Sequence, residues 1–257
     1  MHVGQIEFGF AGNAPSDTLL DLASSFLGAL RMNGQILGRE WPLCVVGNRL
    51  TTRVMMPEAA SLQAAFNNVY VSDYESQLRA AGSEVVIVDL GEDPAGGNVC
   101  ACADPSGYLL FTHYLSLESP ISCMDCFSAV PLYRLPKTAH DEYYDIICWQ
   151  SNYQNCDSLQ MNCAVLESAA THQLSDLHSE LAQQGRNIAR DLGRVTGKPV
   201  YYYLYRSHEQ RRGKKRTQAT TRPCPGCGGK WHLASALNHL FQFRCDRCQL
   251  LSNVGFS

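Results

Sequence analysis

Four cysteines near the C-terminus, Cys224, Cys227, Cys245 and Cys248, form two Cys-x-x-Cys pairs with seventeen residues between them. A Cys-x-x-Cys turn puts two thiolates on one side of the backbone. Two such turns supply the four tetrahedral corners that Zn2+ requires, about 2.3 Å from each sulfur. "CPGCGG" suits the first turn, because Pro225 stiffens it while Gly226, Gly228 and Gly229 accept unusual dihedrals. "FRCDRC" supplies the second at the end of a strand that carries Phe241 and Phe243. The pattern is that of a zinc ribbon. A closed four-thiolate set leaves no position for water, so an ion held there is structural. His232 and His239 lie inside the loop and read as solvent-facing, since the four thiols are complete without them.

A second set is less regular. Cys100 and Cys102 pair as Cys-x-Cys, Cys123 and Cys126 as Cys-x-x-Cys, and the strand-like "YLLFTHYL" runs between them. These four are candidates for a second Zn2+, with Cys156, Cys163 or His113 as alternative donors. The competing reading is that they pack as small apolar groups. Cys44 and Cys148 sit in apolar runs and read as core.

The elements that position these residues follow from periodicity and punctuation. "HVGQIEFGF" reads as a strand, and a helix capped by Ser16 or Asp17 ends at Gly34. "PLCVV" and "LTTRVMM" are strands joined through a Gly-Asn turn. "PEAASLQAAF" and "DYESQLRAAG" read as helical, with Val69–Val71 as a break between them, and "EVVIVDL" as a buried strand. The order β-α-β-β-α-β predicts a ferredoxin-like domain over residues 1–90. A cysteine-rich central α+β module over 91–205 contains a long helix, 166–195, on which Leu174, Leu181, Ile188 and Val195 recur every seven residues. Gly197 and Pro199 stop it, and a Tyr-rich strand follows. A basic arm, 206–222, then leads to the ribbon, 223–257. The fold class is α+β.

The formal net charge of −3 hides a polarity. From Arg206 onward ten Lys/Arg face only Glu209 and Asp246, a net +8; the preceding 205 residues hold 11 basic and 22 acidic groups, a net −11. A flexible cationic arm can follow a phosphate backbone and release counterions. Arg206, Arg211, Arg212, Lys214, Lys215, Arg216 and Arg222 are therefore candidates for nucleic-acid binding, with Trp231, Phe241 and Phe243 as rings on which bases could stack. Tyr201, Tyr203 and Tyr205 share one face of the preceding strand and read more readily as half-core than as a platform.

"SPISCMDCFSAVPLYRLP", "YDIICWQSNYQNCDSLQMNC", "GRNIARDLGRVTGKPVYYYLYR" and "CPGCGGKW" together resemble an uncharacterised bacterial family described as zinc-ribbon-containing, candidate nucleic-acid-binding proteins. The resemblance covers most of the chain from about Cys100 onward. It implies a bacterial, cytoplasmic protein with zinc at the four terminal cysteines, and it names no catalytic residue.

The sequence contains no phosphate-binding Gly-rich loop, His-Glu-x-x-His, Gly-x-Ser-x-Gly or Gly-x-Gly-x-x-Gly. Nothing approaches the eighteen-residue apolar run of a membrane span, and the N-terminus lacks the basic-then-apolar pattern of an export signal. The reading is a non-enzymatic zinc protein of a reducing cytoplasm that binds RNA or DNA without strong sequence preference. The alternative is a protein-interaction module, an inhibitor, immunity-type protein or adaptor, that docks through its acidic body and ribbon.

Overall fold

The structure, a computed structural model, describes residues 1–138, 142–206 and 223–253. It is a mixed α+β fold with two sheets, and the chain divides into two compact units. One comprises Met1–Ala101, Leu117–Ser119 and Ser128–Tyr144; the other comprises Cys102–Ser116, Pro120–Phe127 and the described part of Asp145–Ser257.

In the first unit β1 (His2–Gly9), α1 (Asp17–Met32), β2 (Cys44–Val46), β3 (Arg49–Met56), α2 (Val69–Ala80) and β4 (Val85–Glu92) follow the expected order. The strands form an antiparallel sheet in the order β2-β3-β1-β4. Alternation along β1 turns Ile6 and Phe8 inward, where they meet Phe26, Leu27 and Leu30 of α1 and Val71 and Leu78 of α2. Ser16 caps α1 by accepting from the Leu19 N–H at 3.2 Å. Gly34, at φ +73°, closes the helix end; a Cβ there would stand 2.6 Å from that of Leu132.

Four expectations for this unit are corrected. β4 is an outer strand rather than a buried one, with Ile87, Val88 and Leu90 39–46% exposed, because among the described residues β1 is its only strand neighbour. "PEAASLQAAF" contains only a single 3-10 turn, Ala64–Phe66. The buried Gln35 amide explains this: it donates to the Ser61 carbonyl at 2.9 Å and to Asn67 Oδ1 at 3.1 Å, fixing an irregular path. Val69–Val71 begins α2 instead of breaking it, since Asn68 caps the helix through the Val71 N–H at 2.9 Å. Cys44 is exposed, not core.

The second unit contains β5 (Tyr108–Leu110), β6 (Ile121–Cys123), α3 (Tyr144–Asn162), α4 (Glu167–Ser175), α5 (Glu180–Thr196), β7 (Val200–Tyr203), β8 (His232–Leu237), β9 (Phe241–Cys245) and β10 (Leu250–Ser252). The strands form one six-stranded sheet, β6-β5-β7-β10-β9-β8. The strands of the segment read as a ribbon over 223–257, β8 to β10, thus belong to the same sheet as β5, β6 and β7. β10 pairs antiparallel with β9 and parallel with β7, so the edge a small ribbon would expose is covered.

The long helix expected over 166–195 is two helices, α4 and α5. Ser179 starts the second by accepting from the Ala182 N–H at 3.2 Å while donating to the Gln173 carbonyl at 2.7 Å. The Gln173 side chain accepts from the Leu181 N–H, locking the corner. Of the seven-residue recurrence, Leu174, Leu181 and Ile188 are buried across the break, while Val195 at its end is exposed. Gly197 ends α5 in the left-handed region, as expected.

Gly185 of α5 lets Tyr202 and Trp149 approach the helix; a Cβ would lie 2.4 Å from Tyr202 Cε2 and 2.6 Å from Trp149 Nε1. Gly185→Ala is expected to destabilise the second unit by about 1–3 kcal/mol through overpacking. Gly28→Ala, with open space beside it on α1, is expected to stabilise the first unit by up to about 1 kcal/mol. Urea unfolding midpoints of the two variants check both signs.

Candidate metal centres

Each cysteine set gathers into a tetrad. The sulfurs of Cys224, Cys227, Cys245 and Cys248 lie within 4.8 Å of one another, and so do those of Cys100, Cys102, Cys123 and Cys126. The Cys227 and Cys245 sulfurs are 3.6 Å apart. Four sulfurs at about 2.3 Å from one ion would have edges of about 3.8 Å. Among the described residues, Cys156, Cys163 and His113 belong to neither tetrad, and His232 and His239 are exposed outside the first.

Three of the four cysteine turns share one backbone solution. The residue after the second cysteine is left-handed in each: Phe127 at φ 58°, Gly228 at 70° and Gln249 at 51°. This reversal lets the amide after the turn reach back. Phe127 N–H donates to the Cys123 carbonyl at 2.9 Å, and Gly228 N–H to the Cys224 carbonyl at 2.8 Å. Amides also point at sulfur: Asp125 N–H lies 3.3 Å from Cys123 Sγ. Gly226 is held free of side chain, since a Cβ would stand 2.8 Å from Cys248 Sγ. The Cys-x-Cys turn at 100–102 is the exception. It is held through its backbone, with Cys100 N–H donating to the Ala129 carbonyl and Arg134 donating to the Cys100 carbonyl, both at 2.9 Å.

The electrostatics of the terminal tetrad favour a cation. The Gly229 amide, followed by the Cys245 and Cys248 thiols, pulls the Cys227 thiol down to about 7. Burial pushes Cys245 and Cys248 upward, and the neighbouring thiols add to the rise at Cys248. Four thiols this close cannot all ionise without a positive ion among them. A divalent ion that binds four thiolates displaces those protons and ties metal affinity to folding.

An aspartate inside one turn of each tetrad is clamped from outside. Asp125 accepts from the Ser106 N–H at 2.7 Å and from the Ser106 hydroxyl, which hold its carboxyl below the usual range. Asp246 accepts from the Tyr201 hydroxyl at 2.5 Å and from Arg244 Nε at 2.6 Å, with the same effect. Tyr201 thereby anchors the last cysteine turn to β7, while the Tyr203 hydroxyl donates to Asn253 Oδ1 at 2.9 Å.

The rings expected to stack on bases are placed elsewhere. Trp231, Phe241 and Phe243 are all buried. Phe241 stacks on Phe127 at 6.0 Å and meets Tyr203 and Phe111 edge-on. Phe243 is covered by Trp231, His232 and the Arg206 guanidinium, the last 4.4 Å from the ring centre. These rings form the packing under the cysteine turns and present no open face to a base. A ribbon of this size has too little apolar residue to spare them for solvent. Arg211, Arg212, Lys214, Lys215, Arg216 and Arg222 lie outside the described residues.

Fold and site together define an α+β protein with two four-cysteine clusters that could each hold a metal ion. Three family models match the chain: "Domain of unknown function (DUF8589)" over residues 1–88, "Domain of unknown function (DUF2310)" over 102–205 and "Domain of unknown function (DUF8594)" over 213–257. An "Uncharacterized protein" of Haemophilus influenzae is 36% identical over 244 residues, 92% of this chain and 91% of its own. A second from the same organism is 38% identical over 176 residues, 68% of this chain and 83% of its own. The chain belongs to the family of these bacterial proteins. No solved structure matches it. Among the described residues, no helix is long and apolar enough to cross a membrane.

Cys245→Ser is expected to lower bound metal by one ion per chain. It should also speed hydrogen exchange at the amides of Tyr202 and Leu204, which donate to the carbonyls of Gln249 and Leu251 at 2.9 Å. Metal analysis with exchange mass spectrometry checks this; unchanged protection at both amides would show that β10 holds without the ion.

Proposed function

We propose that the chain is a non-enzymatic zinc protein that binds nucleic acid without strong sequence preference. Zn2+ at Cys224, Cys227, Cys245 and Cys248, and a second Zn2+ at Cys100, Cys102, Cys123 and Cys126, serve as structural ions. Thiolate donors in closed sets of four favour zinc and leave no position for a reacting water. One small domain of this kind gains about 10–16 kcal/mol from its ion. The first unit reads as ferredoxin-like, a reading supported by its β2-β3-β1-β4 antiparallel order. Residues 206–222 read as the arm that meets the polyanion.

The observation that carries the nucleic-acid reading is the charge polarity, +8 from Arg206 onward against −11 before it. Burial of Trp231, Phe241 and Phe243 narrows it. With those rings engaged in the core, affinity rests on cation–phosphate contacts, which carry no sequence information. A second reading, a protein-docking module, draws on the apolar rims of the first sheet. Val45 and Val46 on β2 and Ile87, Val88 and Leu90 on β4 are exposed at its two edges.

Replacing Arg211, Arg212, Lys214, Lys215 and Arg216 by Gln is expected to weaken binding equally for all sequences. For the zinc-loaded wild type on duplex DNA, neutralising five phosphates corresponds to a log–log salt slope of about −4.5. Fluorescence anisotropy against labelled single-stranded RNA and duplex DNA at two salt concentrations reads both. Absence of binding at low salt would discard this function in favour of the protein-docking one.

A further inference from the structure

The second unit carries a charged concavity that the metal centres do not use. A cavity of about 250 Å³ is lined by Arg186, Arg190, Val200, Tyr202, Arg247 and Gln249, with Cys248 also on its wall. Arg186 and Arg190 stand one turn apart on α5, where like charges repel. Arg247 reaches the same space from the turn between Cys245 and Cys248.

The partners of these three arginines are the informative part. Five other arginines find carboxylates: Arg194 pairs with Asp191, Arg244 with Asp246, Arg134 with Glu58, Arg79 with Glu75 and Arg49 with Glu7, while the exposed Arg53 makes no ion pair among the described residues. Among the described residues, Arg186, Arg190 and Arg247 make no ion pair; Arg190 only donates to Asn187 Oδ1 at 3.0 Å. In a chain whose first 205 residues hold 22 acidic groups against 11 basic ones, this convergence is not for want of carboxylates. Tyr202 adds a second observation. Its side chain is fully buried, and its hydroxyl has no hydrogen-bond partner among the described residues. Burial pushes the phenol upward, and the nearby Arg186 charge opposes that rise. A buried phenolic donor left unsatisfied is costly unless an acceptor reaches it.

We propose that this cavity is an anion site that takes a phosphoryl group. Guanidinium forks match the oxygens of phosphate bidentately, and cations arriving from two elements suit a tetrahedral anion. The volume is below the ~300–1,000 Å³ of clefts that hold drug-sized ligands. It admits a phosphoryl group and leaves any attached ester outside. A Zn2+ bound by four thiolates carries a net charge of about −2, so three guanidinium groups leave the wall cationic. The same phosphoryl chemistry can come from inorganic phosphate or from a nucleic-acid backbone. The proposal goes beyond the nucleic-acid reading and uses no residue of 206–222, so either can fail alone.

The test is calorimetric titration of the zinc-loaded full chain with inorganic phosphate and, separately, with a short single-stranded oligonucleotide. The proteins are wild type, Arg186→Gln/Arg190→Gln, Arg247→Gln, Tyr202→Phe and the five-residue arm variant. Phosphate is expected to bind once per chain, and each arginine change to weaken it by about tenfold or more. Tyr202→Phe is expected to weaken it less, with zinc content unchanged throughout. If the arm variant still binds oligonucleotide and Arg247→Gln removes that remainder, the source is a backbone phosphate. If phosphate binds and oligonucleotide does not compete, the source is the free anion. Absence of phosphate binding at low salt overturns the proposal. So does loss of zinc rather than phosphate affinity in the arginine variants, which would make the three charges counterions of the thiolates.

Discussion

The second unit depends on the three residues of β10. Leu250–Ser252 pairs with β9 on one side and with β7 on the other, so one short strand joins the cysteine turns to the central sheet. Three residues cannot hold such a position by propensity. Leu250, Leu251 and Ser252 are fully buried, and the Ser252 hydroxyl donates to the Leu204 carbonyl at 2.7 Å. The path into the strand is fixed by Gln249, left-handed directly after Cys248. A metal that orders the Cys245–Cys248 turn therefore orders the entry to β10, and through it the register of the sheet. An ion bound there would add its binding energy to the folding of the sheet that β10 joins.

The two tetrads also share their packing. Phe127, the left-handed residue after Cys126, stacks on Phe241, which leads along β9 into Cys245. Tyr203 and Phe111 close the same cluster from β7 and the end of β5. Rings of this size contribute beyond their buried area when they meet edge-on or offset. The aromatic cluster connects one cysteine turn to the other across the sheet, with Phe241 buried at its centre.

Much of this was legible in the sequence, for identifiable reasons. Ligand spacing is a local property, so Cys224, Cys227, Cys245 and Cys248 could be grouped from the chain alone, and the looser 100–126 set could be grouped with them. Strong punctuation was also legible: Ser16, Gly34 and Gly197 bound their helices where their chemistry said they would. Long-range pairing was not. Nothing in "LLS" marks it as the partner of "YYY", because a three-residue apolar run carries no period. The break at Ser179 was hidden because a heptad of leucines fits two helices at an angle as well as one. The Val69–Val71 error came from treating β-branched residues as a breaker, when Asn68 makes them a capped first turn.

The aromatic and cationic residues show the deeper limit, and it is one of competition. Trp231 or Phe243 can serve a base or a core, and the sequence shows the residue but not the demand. A small ribbon has few apolar groups, so the core takes them first; Phe243 is fully buried and Trp231 nearly so. Arginine obeys the reverse logic. A guanidinium is costly to bury and is normally placed where a carboxylate or solvent meets it. Arg190 and Arg247 are exposed and Arg186 is half-buried, so solvent meets them, and on the proposal above their convergence leaves positive charge open to an outside anion. With Trp231, Phe241 and Phe243 buried, the proposed recognition rests on cations and phosphate rather than on rings and bases.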